Sequence, residues 1–248
     1  MSQDNADLGE KALSKVAEMG IKSQLDEVED INVDVKTDPL KAMQGQVDAV
    51  SIQGKGMVMQ EDLRVEKMRL ETDSIAINPL KLAIGQIELT HPTEAKAQVI
   101  LTEVDINRAF NSDYLHQKLQ ENLKITVDGK PVTLDAQKIE FRLPEDNKIF
   151  LEAQIVWPET GENREIAFTA EPHISSDHQQ VKLDHIEYTK GEDLSSEVTD
   201  ALLKQTHDLL DLSNFELEGM QLYLTELKVS PGKMTLICQA QIENFNSN

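Results

Sequence analysis

Apolar and polar residues alternate with a period of two along much of this chain, and the pattern is clearest in residues 222–242. The parity of the apolar residues changes once, between Leu224 and Leu227, and a Pro231-Gly232 turn separates the two halves. Alternation on both sides of a turn predicts a β-hairpin, and the change of parity predicts a bulge. One side of this hairpin is aliphatic, so it must pack against the protein's own core or against a ligand.

The same alternation predicts further long strands. They lie in residues 31–39, 45–59 and 63–77, and two more hairpins follow in residues 132–158 and 164–188. In residues 63–77 the inward set shifts parity twice, which is typical of bent and strongly twisted strands.

Three segments have helical spacing instead. Residues 5–20 place Leu8, Ala12, Leu13, Val16 and Met19 on one stripe. Residues 101–120 open with Thr102 as an N-cap and Asp105 three residues later, a variant of the capping box. The third segment is residues 194–212.

Segments with one apolar side must bury that side against one another. The simplest arrangement is of the α+β class, with a long, strongly curved antiparallel sheet rolled around a few helices. We expect residues 1–20 to form an N-terminal helix and residues 21–248 a single curled-sheet domain.

Composition limits the possible partners. The net charge is −21, from 45 acidic against 24 basic residues, which disfavours a nucleic-acid ligand. Cys238 is the only cysteine, so no intrachain disulfide can form, and its parity places it on the apolar side of its strand. The N-terminus has no signal-peptide pattern and the chain no transmembrane pattern, so we expect a cytoplasmic protein that meets a membrane only at its surface.

No pattern predicts catalysis, a metal or a cofactor. Asp30, Asn32 and Asp34 have the spacing of a calcium loop, but the sixth position is not glycine, and a half-exposed strand explains the spacing. His173, His178 and His185 lie on one hairpin without a partner ligand at metal-site spacing. We therefore expect no enzyme, and a lipid hydrolase remains only as a hypothesis based on the abundance of carboxylates.

Residues 45–110 resemble the LmeA-like phospholipid-binding family of bacterial proteins. The residues that carry the resemblance are Gly45, Gly54-Lys55-Gly56, the strand Leu70–Ile77 and Leu101–Asn107, and residues 211–242 resemble the family's closing strands. The resemblance implies a fold like that of the tubular lipid-binding proteins and binding of phospholipid acyl chains without turnover.

Periodicity suggests which side chains would line such a groove between the sheet and the helices. The candidates are Val16, Phe110, Leu115, Leu119, Leu202, Leu209, Leu222, Leu224 and Leu236. Aromatic residues make up only 4% of the chain, and an aliphatic lining suits flexible acyl chains.

Two functional hypotheses follow. The first is non-catalytic binding of a phospholipid or similar amphipath, as a carrier or sensor at a membrane surface. The alternative is a structural or adaptor protein with a filled core, which binds a basic protein partner through its acidic surface.

Overall fold

The computed structural model describes residues 2–59, 62–78, 80, 88–115, 124–127, 130–158, 160–191, 198–200, 203–204 and 220–243. Most of these residues lie in antiparallel strands and few lie in helices, which confirms the predicted α+β class. Within these described ranges, each of the two main sheets is open.

The principal helices of the described ranges are α1 (Ser2–Lys22), α2 (Pro39–Met43) and α3 (Glu103–Phe110). The strands are β1 (Asp30–Lys36), β2 (Gln46–Val47), β3 (Ala49–Met59), β4 (Leu63–Thr72), β5 (Ile75–Ala76), β6 (Thr93–Thr102), β7 (Lys124–Val127), β8 (Lys130–Thr133), β9 (Asp135–Arg142), β10 (Ile149–Trp157), β11 (Glu162–Ile174), β12 (Val181–Lys190), β13 (Met220–Ser230) and β14 (Lys233–Ile242).

The larger sheet has six strands in the order β1-β3-β4-β6-β14-β13, and every neighbouring pair is antiparallel. The closing hairpin β13–β14 forms as the alternation predicts. Its register shifts between Leu224 and Glu226, which confirms the predicted bulge.

The smaller sheet has four antiparallel strands in the order β12-β11-β10-β9. Its apolar side forms a densely packed core in which Leu134, Leu143 and Ile155 are each at most 1% exposed. Val229 and Met234, from the turn end of the β13–β14 hairpin, pack against the same core.

Helix α3 joins the two sheets. Thr102 and Asp105 form the predicted capping box, which fixes where the helix begins. On one side, the Arg64 guanidinium of β4 donates to Asp105 Oδ1 at 2.6 Å. On the other side, the Asn107 side chain donates to the Phe141 carbonyl at 2.7 Å and accepts from the Phe141 N–H at 2.8 Å.

The outer edge of β13, which has no neighbouring strand in the six-stranded sheet, is hydrogen-bonded to two turns of the four-stranded sheet. The Leu224 N–H donates to the His178 carbonyl at 2.8 Å, and His178 Nδ1 lies 2.9 Å from the Leu224 carbonyl oxygen. The Val229 N–H donates to Asn147 Oδ1 at 3.1 Å. Because edge strands carry unpaired backbone groups, these contacts satisfy part of an otherwise open edge.

Helix α1 covers part of the opposite edge, at β1. The Val35 N–H donates to Ser14 Oγ at 2.9 Å, and the Thr37 N–H donates to Glu10 Oε1 at 2.8 Å. The predicted N-terminal helix is therefore present and lies against the sheet, while the division of the chain into residues 1–20 and 21–248 stays a prediction.

Candidate functional site

One face of the six-stranded sheet is apolar across all six strands, and we call it the apolar face. Strand register places the alternating residues of each strand on the same side. These residues are Ile31, Val33, Val35, Val50, Ile52, Met68, Leu70, Ala95, Ala97, Val99, Leu101, Leu222, Leu224, Leu227, Val229, Met234, Leu236, Cys238, Ala240 and Ile242.

The margins of this face are covered. At β1, Ala17 and Ile21 of α1 pack against the cluster that contains Val33. At one end of β6 and β14, Leu89 and neighbouring residues cover Ala95 and Ile242. Beside β13, Val181 and Ile174 from the β11–β12 turn region cover Leu224 and Cys238.

The centre of the apolar face is only half-buried. The residues concerned are Ile52, Met68, Leu70, Ala97, Val99 and Leu236. Their side chains are aliphatic or thioether, and none can titrate. Such a surface can hold a flexible hydrocarbon chain by dispersion and desolvation, but it offers no group for acid–base or nucleophilic chemistry.

A charged cluster lies at the end of β4 next to the β3–β4 connection. Arg64 and Glu66 precede Met68 on β4, beyond the aliphatic centre of the apolar face. Arg64 donates to Glu29 at 2.6 Å and to Glu66 at 3.0 Å, in addition to Asp105.

Hydrogen bonds within the cluster fix the position of the Asp105 carboxylate. The Asp105 carboxylate, 1% exposed, also accepts from the Thr102 N–H and hydroxyl at 2.9 and 2.7 Å. Asp105, followed by Glu29, holds the pKa of Arg64 above its usual range. The Arg64 charge is therefore fixed.

The candidate residues from the sequence fall in different places. Leu222, Leu224 and Leu236 lie on the apolar face, and Leu224 and Leu236 share one cluster. Phe110 belongs to the other core, where its ring stacks on Phe141 with 5.9 Å between centroids.

The remaining candidates do not join this group. Leu115 follows α3 and is half-buried. Val16 is 64% exposed on α1. Leu119, Leu202 and Leu209 lie outside the described residues. For all nine residues, contact with lipid stays a prediction.

Sequence reasoning did not single out Ile52, Met68, Leu70 or Val99. Ile52, Met68 and Leu70 were placed in strands with an apolar side, but Val99 lies in β6 (Thr93–Thr102), which was not predicted as a strand. Strand order is needed to show that these residues meet at the centre of one face. The alternation of apolar and polar residues identifies these positions as apolar, but it does not separate fully buried positions from half-buried ones.

The three histidines of the β11–β12 hairpin have separate partners. His173 Nδ1 lies 3.3 Å from Asp184 Oδ2, and His185 Nδ1 lies 3.1 Å from Glu171 Oε2, while His178 bonds to β13. Among the described residues, no three His, Cys, Asp or Glu side chains converge as a metal site would require. Asp30 and Asp34 alternate with buried residues along β1, as the strand interpretation expects.

Cys238 is 8% exposed on the apolar face, as its parity predicts. Burial raises the pKa of its thiol. Since the thiolate is the reactive form, this position disfavours nucleophilic chemistry.

The opposite, polar face of the same sheet carries a depression of about 320 Å³. Its lining includes Lys55, Lys67 and Arg69, but also Asp30. Glu29 pairs with Lys55 at 2.9 Å and Glu71 pairs with Arg69 at 2.5 Å, so much of the local positive charge is compensated.

Comparisons with known proteins agree with the architecture. The family model described as LmeA-like phospholipid-binding matches residues 4–239 of the 248-residue chain, a range that holds thirteen of the fourteen strands and most of β14. No curated protein and no solved structure matches significantly. In the part of the chain that the structure describes, no helix has the length and apolar character needed to cross a bilayer.

Proposed function

The chain belongs to the LmeA-like phospholipid-binding family, and we propose that it binds a phospholipid with an acyl chain on the apolar face. The lipid is held without chemical turnover, and the protein acts as a carrier or sensor at a membrane surface.

The half-buried centre of the apolar face carries this proposal. In a finished core, residues such as Leu70 and Val99 would be covered by protein, as Leu143 is in the smaller sheet. Burying a methylene stabilises a complex by about 0.8 kcal/mol, so even a partly covered acyl chain gains several kcal/mol before the cost of ordering it.

The test uses two neighbouring residues on opposite sides of β6. Val99 is on the apolar face, and Gln98 is exposed on the polar face. We expect Val99→Asp to abolish phospholipid loading because the carboxylate would be desolvated by the acyl chain, whereas Gln98→Asp should load normally. Native mass spectrometry of freshly purified protein, followed by solvent extraction, measures the loading.

A second variant guards against misfolding of Val99→Asp. Val99→Trp keeps the face apolar but fills space above it, so it should lower loading while circular dichroism and thermal unfolding stay close to wild type. Wild-type protein that is free of lipid and refuses added phospholipid would refute the proposal. The adaptor hypothesis would then be favoured. Its test is whether the protein binds a basic protein partner and loses that partner when salt is added.

A further inference from the structure

Exposed apolar side chains are concentrated on two helices. Among the described residues, eight large hydrophobic side chains are exposed, and five of them lie on α1 and α2. The five are Leu13, Val16, Met19, Leu40 and Met43. We call these five residues the helical patch. Clusters of exposed apolar residues mark interaction sites more often than scattered ones do.

The orientation of α1 explains its share of the patch. Ser14 and Glu10 accept hydrogen bonds from Val35 of β1 and from Thr37 just after it, and Ala17 and Ile21 pack on the sheet. These four α1 residues define the inner side of the helix. With 3.6 residues per turn, Val16 and Met19 fall on the outer side, where they are 64% and 54% exposed. No described part of the chain covers them.

Helix α2 adds two residues near the Glu10 end of α1. It starts at Pro39, two residues after Thr37, whose N–H is bonded to Glu10 of α1. Leu40 and Met43 are three apart, so they share one side of α2, and they are 71% and 81% exposed.

Lysines border the outer side of α1. Lys11, Lys15 and Lys22 recur at helical spacing next to the apolar stripe, and the side chains of Lys15 and Lys22 are 64% and 42% exposed. Glu18 bonds both of these ammonium groups, at 2.8 and 2.9 Å. An apolar stripe with a lysine margin is one feature of helices that lie in the plane of a membrane interface.

We propose that the helical patch docks the protein on the surface of a phospholipid bilayer that contains anionic lipid. The five apolar side chains enter the interfacial region, and the lysine margin faces the headgroups. The purpose of this docking rests on the proposed function, because docking would bring the apolar face to its source of lipid. The docking itself does not require a lipid bound to the apolar face.

Charge favours a bilayer over a second copy of the chain. Two copies that meet through α1 would oppose the same lysine margins. A bilayer with anionic lipid instead complements the lysine margin, while the acidic remainder of the protein faces water.

The experiment is flotation of the full chain with phosphatidylcholine vesicles, with and without phosphatidylglycerol. Two exposed helical valines give a matched pair: Val16 in the patch, and Val104 on α3, which is 76% exposed and outside the patch. We expect Val16→Glu to weaken vesicle binding about tenfold or more, and Val104→Glu to leave it unchanged.

A charge variant separates the two contributions. Lys15→Glu with Lys22→Glu should weaken binding to vesicles with phosphatidylglycerol and change binding to pure phosphatidylcholine much less. Added salt should lower the wild-type affinity only for the anionic vesicles.

Three outcomes would overturn the docking proposal. They are wild-type protein that binds neither vesicle, equal losses in Val16→Glu and Val104→Glu, and a dimer that Val16→Glu dissociates while vesicle binding persists. Lipid loading by native mass spectrometry distinguishes this failure from failure of the proposed function. Met19→Glu changes a residue of the helical patch that is not a groove candidate, so it should weaken vesicle binding and keep its lipid, and Val99→Asp should keep its vesicle binding.

Discussion

The two main sheets share one sequence pattern but differ in what covers their apolar sides. In the four-stranded sheet, Leu134, Leu143 and Ile155 are almost completely buried in a closed core. In the six-stranded sheet, the margins of the apolar face are covered, but Leu70 and Val99 at its centre remain half-buried. Alternation therefore identifies which side of a strand is apolar, while the order and length of the surrounding elements decide whether protein fills the space.

The largest expected effect comes from truncating one leucine in each sheet. Leu143→Ala should lower the free energy of unfolding by about 3 kcal/mol, because it opens a cavity in a closed core. Leu70→Ala should cost about 1 kcal/mol in lipid-free protein, since its side chain already contacts solvent and less apolar area is lost. Urea denaturation of both variants measures the difference.

Equal losses in the two variants would mean that the apolar face is as well packed as the smaller core. Added phospholipid supplies a control on the same samples. It should raise the unfolding midpoint of wild type and of Leu143→Ala, and raise that of Leu70→Ala less, because ligand binding to the folded state adds to stability.

A smaller effect is expected from loosening the connection between the sheets. Asn107→Ala removes both side-chain bonds to the Phe141 backbone and leaves the N–H and the carbonyl of this buried residue without these partners. We expect a loss of about 2 kcal/mol in the free energy of unfolding. Asn111 also bonds to β9, through the Ile139 carbonyl, so Asn111→Ala is a milder control with one such bond lost.

Hydrogen exchange would show where the Asn107→Ala loss acts. Faster exchange at β9 and α3, with β1 and β3 unchanged, is the expected result. Uniformly faster exchange in both sheets would show that they unfold as one cooperative unit, and the comparison between them would then apply to packing alone.

The smallest perturbation leaves the apolar face intact and uses Cys238 as a probe. Burial raises the pKa of this thiol, so less thiolate is present at a given pH above neutrality and alkylation is slow in the folded protein. Saturating phospholipid should slow it further, by about tenfold when free lipid is about ten times its Kd. Iodoacetamide labelling followed by mass spectrometry measures the rate.

A matched thiol in the closed core sharpens this test. Ala170 is 1% exposed in the four-stranded sheet, and the double variant Ala170→Cys with Cys238→Ala moves the only thiol there. Phospholipid should leave its alkylation rate unchanged. Protection of both thiols to the same degree would indicate general stabilisation rather than a ligand on the apolar face.

Much of the local structure could be predicted because it depends on neighbours in the chain. Ile31, Val33 and Val35 alternate with exposed residues as expected in β1. The parity change after Leu224 appears as a register shift in β13. The capping box of Thr102 and Asp105 needs only three residues of spacing, and it is present.

Structural features that depend on contacts between residues far apart in the chain could not be predicted from local patterns. Helical spacing groups Leu13, Val16 and Met19, but it does not say which side of α1 meets the sheet. That side is set by Ser14 and Glu10, which bond to the N–H groups of Val35 in β1 and of Thr37 just after it, more than twenty residues away. Likewise, only the strand order shows that Met68 and Val99 are cross-strand neighbours.

The bonds at the edges of the six-stranded sheet also limit how copies of this protein can assemble. Side chains and turns, rather than further strands, occupy backbone groups at both ends: Ser14 and Glu10 at β1, and His178 and Asn147 at β13. Strand-by-strand growth into fibrils is opposed at each end. Proteolytic removal of α1 would free the Val35 and Thr37 N–H groups, so a truncated chain should polymerise through β1 at concentrations where the full chain stays dispersed.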